Sequence, residues 1–148
     1  MRSLLRSVGI ALGILTFAGV QNAGAQIIDP IEFTASFPFT VGNTTVPAGS
    51  YTIRPDDDNP QVLELMGKNA SVLFQIQGAQ ARETPSRTEL VFGRYGSSYV
   101  LKSIWLEGSN DGAETISAEG ERHAAKHPGE KSEQRVAATR KSSRSNGK

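Results

Sequence analysis

The sequence predicts an all-β fold: a single small antiparallel sandwich or partly open barrel of about six or seven strands. Three observations lead there. Short runs of alternating apolar and polar residues recur between Ile31 and Ile116, separated by turn clusters rich in Gly, Pro, Asn and Asp. No run before Ser117 carries a helical period. Residues 89–106, E-L-V-F-G-R-Y-G-S-S-Y-V-L-K-S-I-W-L, read as two strands folded back on each other, with the only Trp and two of the three Tyr.

That hairpin is the expected centre of the fold. Gly96-Ser97 suits a two-residue type II′ turn, because Gly adopts φ > 0 without a Cβ clash. The register then pairs Arg94 with Tyr99, Phe92 with Leu101 and Leu90 with Ser103. Leu90, Phe92, Tyr99, Leu101 and Trp105 share one face; Val91, Gly93, Tyr95, Val100, Lys102, Ile104 and Leu106 share the other. A three-residue turn, Gly96-Ser97-Ser98, is the competing register and would exchange the faces of the second strand.

The remaining elements follow in order. Residues 31–39 form a strand with Ile31, Phe33 and Phe37 on one face, and Pro38 marks an edge or an exit from the sheet. Residues 41–44 turn. Pro47 and Gly49 bracket a second turn before a strand over residues 50–54. Pro55 to Pro60 is a loop by composition. Residues 61–66 and 70–77 make a hairpin about Gly67-Lys68-Asn69, and residues 78–87 a long polar loop. Residues 108–112 turn into a last short strand at residues 113–116.

The two ends differ from this middle. Arg2 and Arg6, an apolar run over residues 8–20 and Ala23-Gly24-Ala25 form an export signal, so residues 1–25 are the expected leader and Gln26 the mature start. The apolar run is short for a membrane span, which needs roughly 20 residues. The expected β domain covers residues 26–119, where six Lys and Arg stand against twelve Asp and Glu, a net charge of −6. Residues 120–148 carry eight Lys and Arg against three Glu, a net +5, with Val136 the only large aliphatic residue. Such a segment buries too little apolar surface to offset its ordering entropy. A disordered basic tail is expected there, with one helical turn near residues 117–126 and little part in stability.

Pro47-Ala48-Gly49-Ser50-Tyr51-Thr52-Ile53, followed by L-V-F-G-R-Y-G-S-S-Y-V-L-K-S-I-W over residues 90–105 and placed behind an export signal, resembles a group of small secreted bacterial proteins. The resemblance covers about residues 31–116. It implies bacterial export and an all-β fold, and carries no catalytic signature.

Composition excludes several chemistries. With no Cys there are no disulfides, thiolate nucleophiles or Cys-ligated metals. No His lies between Gln26 and Glu119, so a Ser-His-Asp triad has no base on the domain. His123 and His127 have the i, i+4 spacing of metal ligands on a helix, but H-A-A-K-H lacks the Glu of H-E-x-x-H, and Pro128-Gly129 would stop the helix. Asp56-Asp57-Asp58-Asn59 lacks the alternation, Gly and distal Glu of a calcium loop and reads as an acidic turn. Glu64, Glu89 and Glu107 flank strands, yet no spacing selects a pair for glycoside hydrolysis. Asn43-Thr44-Thr45 and Asn69-Ala70-Ser71 match the N-glycosylation sequon, relevant only in a eukaryotic secretory pathway. Tyr51, Tyr95, Tyr99 and Trp105 suit either a core or a sugar-stacking surface.

The expected function is therefore that of an exported, non-catalytic β-domain, secreted or periplasmic, serving as a binding or structural module of the cell envelope or secreted fraction. No catalytic residue, metal site or cofactor is assigned. The alternative is a carrier of a small ligand or carbohydrate, using an aromatic-lined barrel or sheet face. Arg122, Lys126, Lys131, Arg135, Arg140, Lys141, Arg144 and Lys148 have no aromatic among them, which argues against specific nucleic-acid readout and leaves attraction to polyanionic envelope components. No transmembrane segment is expected in the mature chain.

Overall fold

Alternating β-branched and aromatic residues become strands wherever turn formers let the chain reverse. The computed structural model describes Ile27, residues 29–128 and residues 132–141. The expected leader, residues 1–25, lies outside the described residues, as do residues 129–131 and 142–148 of the basic segment. The elements are β1 (Ile31–Ala35), β2 (Phe39–Val41), β3 (Thr44–Val46), β4 (Gly49–Pro55), β5 (Val62–Gly67), β6 (Ser71–Gln80), β7 (Glu89–Tyr95), β8 (Ser98–Trp105), β9 (Asp111–Thr115), α1 (Ala118–Lys126) and β10 (Ser132–Arg140). Among the described residues no helix is long and apolar enough to cross a membrane.

Eight strands close a ring. Neighbours run β8-β7-β10-β1-β4-β5-β6-β9, and β9 pairs back to β8. Each pairing around the ring is antiparallel. The fold is all-β as the sequence predicts, and it is a fully closed barrel with more strands than expected. Closure removes the free sheet edges an open sheet would expose. The β2–β3 hairpin lies outside the ring. It turns at Gly42 with φ 58°, and β2 joins β8 in parallel at Thr40↔Val100. The second edge of β8 is thus shared: Val100 takes β2, and Ser103, Ile104 and Trp105 take β9.

The lumen is filled. Ile31, Ile53, Leu63, Leu65, Leu90, Phe92, Leu101 and Ile104 are wholly out of solvent. Phe33, Phe39, Tyr51 and Phe92 make a ring cluster, with Phe39 edge-on to Phe92 at 5.1 Å. An eight-stranded barrel is just wide enough for side chains to fill it. Pro38 ends the first strand early, as its missing N–H dictates. Phe37 is thereby released to stack on Tyr99, 4.0 Å between ring centres.

The main hairpin has the two-residue turn, with Gly96 at φ 61° and Tyr95 paired to Ser98. Arg94↔Tyr99 and Phe92↔Leu101 pair as that turn predicts. The register then shifts: Val91 pairs with Ser103 and Leu90 with Ile104, so Lys102 faces no residue of β7. A bulge exchanges the faces of everything beyond it. Ile104 joins the core and Trp105 joins the outer face, the reverse of the faces expected from uninterrupted alternation.

The basic segment is the larger correction. The sequence predicts a disordered tail over residues 120–148 with one helical turn near residues 117–126; Ala118–Lys126 is a helix at that place, but Ser132–Arg140 is a barrel strand between β7 and β1. A segment of this composition cannot bury enough apolar surface alone. β10 does not have to, because β1 and β7 present two edges of backbone donors and acceptors for it to pair with. It sets only Val136 and Ala138 against the core. Its charges are matched along both seams: Arg135 with Glu89, Lys102 with Glu133 at 3.4 Å, Arg140 with Asp29 at 3.7 Å and Lys141 with Glu32 at 2.7 Å.

Candidate functional site

The bulge at Lys102 turns Trp105 outward, and the strands around it bring charge to the same place. Trp105 is the direct cross-strand partner of Glu89 on β7 and of Gly112 on β9. Its indole lies over Gly112: a Cβ there would come within 2.2 Å of the ring. Gly112 is thus a seat that any side chain would fill. Glu89 is buried, its side chain 10 % exposed, and its carboxylate accepts from Arg87 Nε at 3.3 Å and from an Arg135 terminal nitrogen. Both arginine side chains are more than half exposed, at 58 % and 52 %. The carboxylate therefore lies beneath and the two cations above it.

The loop between β6 and β7 walls this place. It is long, but it is pinned to the β8–β9 turn at several points. Ala81 N–H donates to the Asn110 carbonyl at 2.7 Å, and Gly108 N–H to the Pro85 carbonyl at 3.0 Å. Glu107 N–H donates to Thr88 Oγ1 at 3.1 Å, and Thr84 Oγ1 donates to Asn110 Oδ1. Between this loop, Trp105 and Arg135 runs an open groove of about 750 Å³, with Arg82, Glu83, Arg87 and Glu89 on its walls.

A second groove, about 530 Å³, lies on the other side of Trp105 beside α1, with Val91, Tyr95, Val100, Lys102 and Ala124 along it. Ser117 fixes the start of α1 twice. Its hydroxyl donates to the Gly42 carbonyl and accepts from Gly120 N–H at 2.9 Å, the usual N-cap bond. Gly120 then rests on Val100, and His123 stacks near Tyr95, 6.4 Å between ring centres.

The residues singled out from sequence are distributed differently. Trp105 and Tyr95 line the same groove. Tyr51 points inward and donates to the Pro47 carbonyl at 2.5 Å, and burial pushes its hydroxyl pKa up. Tyr99 lies at the barrel end with Phe37. Glu64 on β5 accepts from Ser71 Oγ at 2.7 Å and from Arg54 at 2.7 and 2.9 Å. Those bonds, Ser71 first, hold its carboxyl below the usual range. Three strands, β10, β1 and β4, separate β5 from β7 in the ring, so Glu64 and Glu89 are not brought together. Glu107 is exposed in the β8–β9 turn.

His123 lies 3.7 Å from a Glu119 oxygen, and His127 caps the helix by donating its N–H to the His123 carbonyl. Asp56 Oδ1 accepts from the backbone of Asp58 and Asn59, an Asx turn. Among the described residues no three His, Asp or Glu are grouped to hold a metal ion. Asn43 and Asn69 are exposed in turns. Sequence reasoning missed the Arg87–Glu89–Arg135 set. Arg87 ends the loop before β7 and Glu89 opens the strand, and Arg135 comes from the segment expected to be disordered.

No protein-family model, curated protein or solved structure matches the chain.

Proposed function

We propose that the chain is an exported, non-catalytic β-barrel of the cell envelope or secreted fraction, which acts by binding a partner on its outer surface. The observation that carries this reading is the filled lumen. A carrier that enclosed its ligand would need an interior cavity of a few hundred Å³. Here the inward positions are occupied by large side chains at zero exposure. Export rests on the leader over residues 1–25 and on the likeness to small secreted bacterial proteins. The non-catalytic part is supported by Glu64, whose carboxyl is held low and paired, unlike the raised pKa a general acid requires.

The basic segment was the feature expected to attract a polyanion as a free tether. In the fold, Arg140 and Lys141 are matched to acidic neighbours, and Arg135 is fixed on a barrel strand. Binding is better placed on the barrel surface, where Trp105 and the arginines meet.

Two measurements on the purified mature protein test this. An apolar fluorescent probe such as N-phenylnaphthylamine is expected to give no saturable binding, whereas isolated cell envelopes are expected to retain the protein on pelleting. Stoichiometric, high-affinity probe uptake would replace this reading with an enclosing carrier. Failure to co-sediment under every ionic condition would remove the envelope partner.

A further inference from the structure

We propose that the groove between the 81–88 loop and Trp105 binds an acidic oligosaccharide, with a sugar ring against Trp105 and a uronate carboxylate held by Arg87 and Arg135. This rests on the reading of an outer-surface binding module and names its ligand class.

The chemistry points to such a ligand in three ways. First, Trp105 is partly exposed and lies between two open grooves, so an extended chain can pass over it. A sugar presents an apolar C–H face that an indole covers well, and Trp combines large apolar area with little side-chain entropy.

Second, the cations are organised before any ligand arrives. Buried Glu89 engages Arg87 through Nε and Arg135 through one terminal nitrogen. Each guanidinium has five N–H donors, so most remain for a second carboxylate, which Arg binds in a bidentate fork. Holding the side chains in place lowers the ordering cost of binding. Arg82 adds a third guanidinium on the wall; the opposing charges besides Glu89 are Glu83 on the wall and Glu133, which lies 3.6 Å from the other terminal nitrogen of Arg135.

Third, the alternatives fit less well. A neutral glycan would offer no anion to the guanidinium donors that Glu89 leaves over. Single-stranded nucleic acid uses a series of aromatic rings along a basic track, and this groove has one.

Trp105 is the only Trp, so its emission reports binding directly. The full mature protein is titrated with an oligogalacturonide and, separately, with a cello-oligosaccharide of equal length. The oligogalacturonide is expected to give a saturable emission change that weakens with added salt; the neutral sugar is not. Arg87→Gln is expected to weaken the affinity on the order of 10-fold, the effect of losing a charge-assisted hydrogen bond. Arg82→Gln, on the exposed wall, provides a second variant that leaves the Glu89 pairing intact and is expected to weaken it less. Lys68→Gln, in the β5–β6 turn, is expected to change nothing. Circular dichroism melts confirm that each variant is folded. Equal response to both sugars, or wild-type affinity in both Arg variants, would overturn the acidic class. If the oligogalacturonide gives no response while envelopes still retain the protein, this site falls and the surface-binding reading stands. Loss of both brings down the two together.

Discussion

Trp105 and Glu89 stand directly opposite each other on β8 and β7, because Lys102 has no partner. Without the bulge, the pairing that starts at Phe92↔Leu101 would run on to place Ile104 opposite Glu89. Deleting Lys102 removes that unpaired position and leaves Ile104 opposite Leu90 in the core and Trp105 opposite Glu89 outside. The deletion is therefore expected to keep the fold and to leave the Trp105 emission spectrum unchanged, because every residue beyond it stays on its present face. Lys102→Ala keeps the bulge and is expected to cost under about 1 kcal/mol, as its ion pair with Glu133 is exposed. Trp emission and urea titration of the two variants check this, and a deletion variant whose Trp105 emission moves to that of a buried indole would mean that the bulge does not set the register.

Phe92 meets Phe33, Phe37 and Phe39 at the middle of the barrel and is wholly buried. Phe92→Ala is expected to destabilise by about 3–5 kcal/mol. A small domain without disulfides has about 5–10 kcal/mol in total, so the variant should melt well below the wild type. A loss under about 1 kcal/mol would show that the lumen is not packed as described.

Gly112 carries the Trp105 ring. A methyl there collides with the indole, so Gly112→Ala is expected to displace Trp105, shift its emission to longer wavelength and cost about 1–3 kcal/mol through overpacking. An unchanged emission spectrum would contradict this seat.

The alternation of residues 89–101 gave the hairpin, its turn and its first pairs, because each of those follows from local chemistry. Pro38, Pro47 and Gly49 marked strand ends for the same reason, and a helical turn was legible near residues 117–126. The bulge was not legible: Lys102 and Ser103 are both tolerated on the outer face, so no residue type announces the extra position. β10 was not legible either. Ser132–Arg140 is polar enough to read as solvated, and its place depends on edges supplied by β1 and β7, far away in sequence. The candidate site inherited both gaps. Trp105 was noticed, but its outward direction needed the bulge, and Arg135 needed the strand.

Acid titrates one outer contact in a defined direction. Ser71 and Arg54 hold the Glu64 carboxyl below its ordinary range. A lowered folded-state pKa contributes stability above the unfolded value and loses it as pH falls through the folded value. The melting temperature of wild type relative to Glu64→Gln is therefore expected to be higher at neutral pH, and the difference to shrink as pH drops below about 4.3, the usual Glu value. A gap that widens on acidification would reverse the sign and refute the assignment.

The central claim is that the C-terminal basic segment is a working strand of the barrel, which supplies Arg135 to the groove and closes the seam between β7 and β1. Amide hydrogen exchange over residues 132–140 tests it most directly. Residues 132–137 pair with β7 and residues 138–140 with β1, so the amides that point into those two ladders are expected to be protected to the same degree as the paired amides of β1 and β7. Exchange at the rate of an unfolded chain across the whole stretch would contradict the closed barrel and take the Arg135 side of the groove with it.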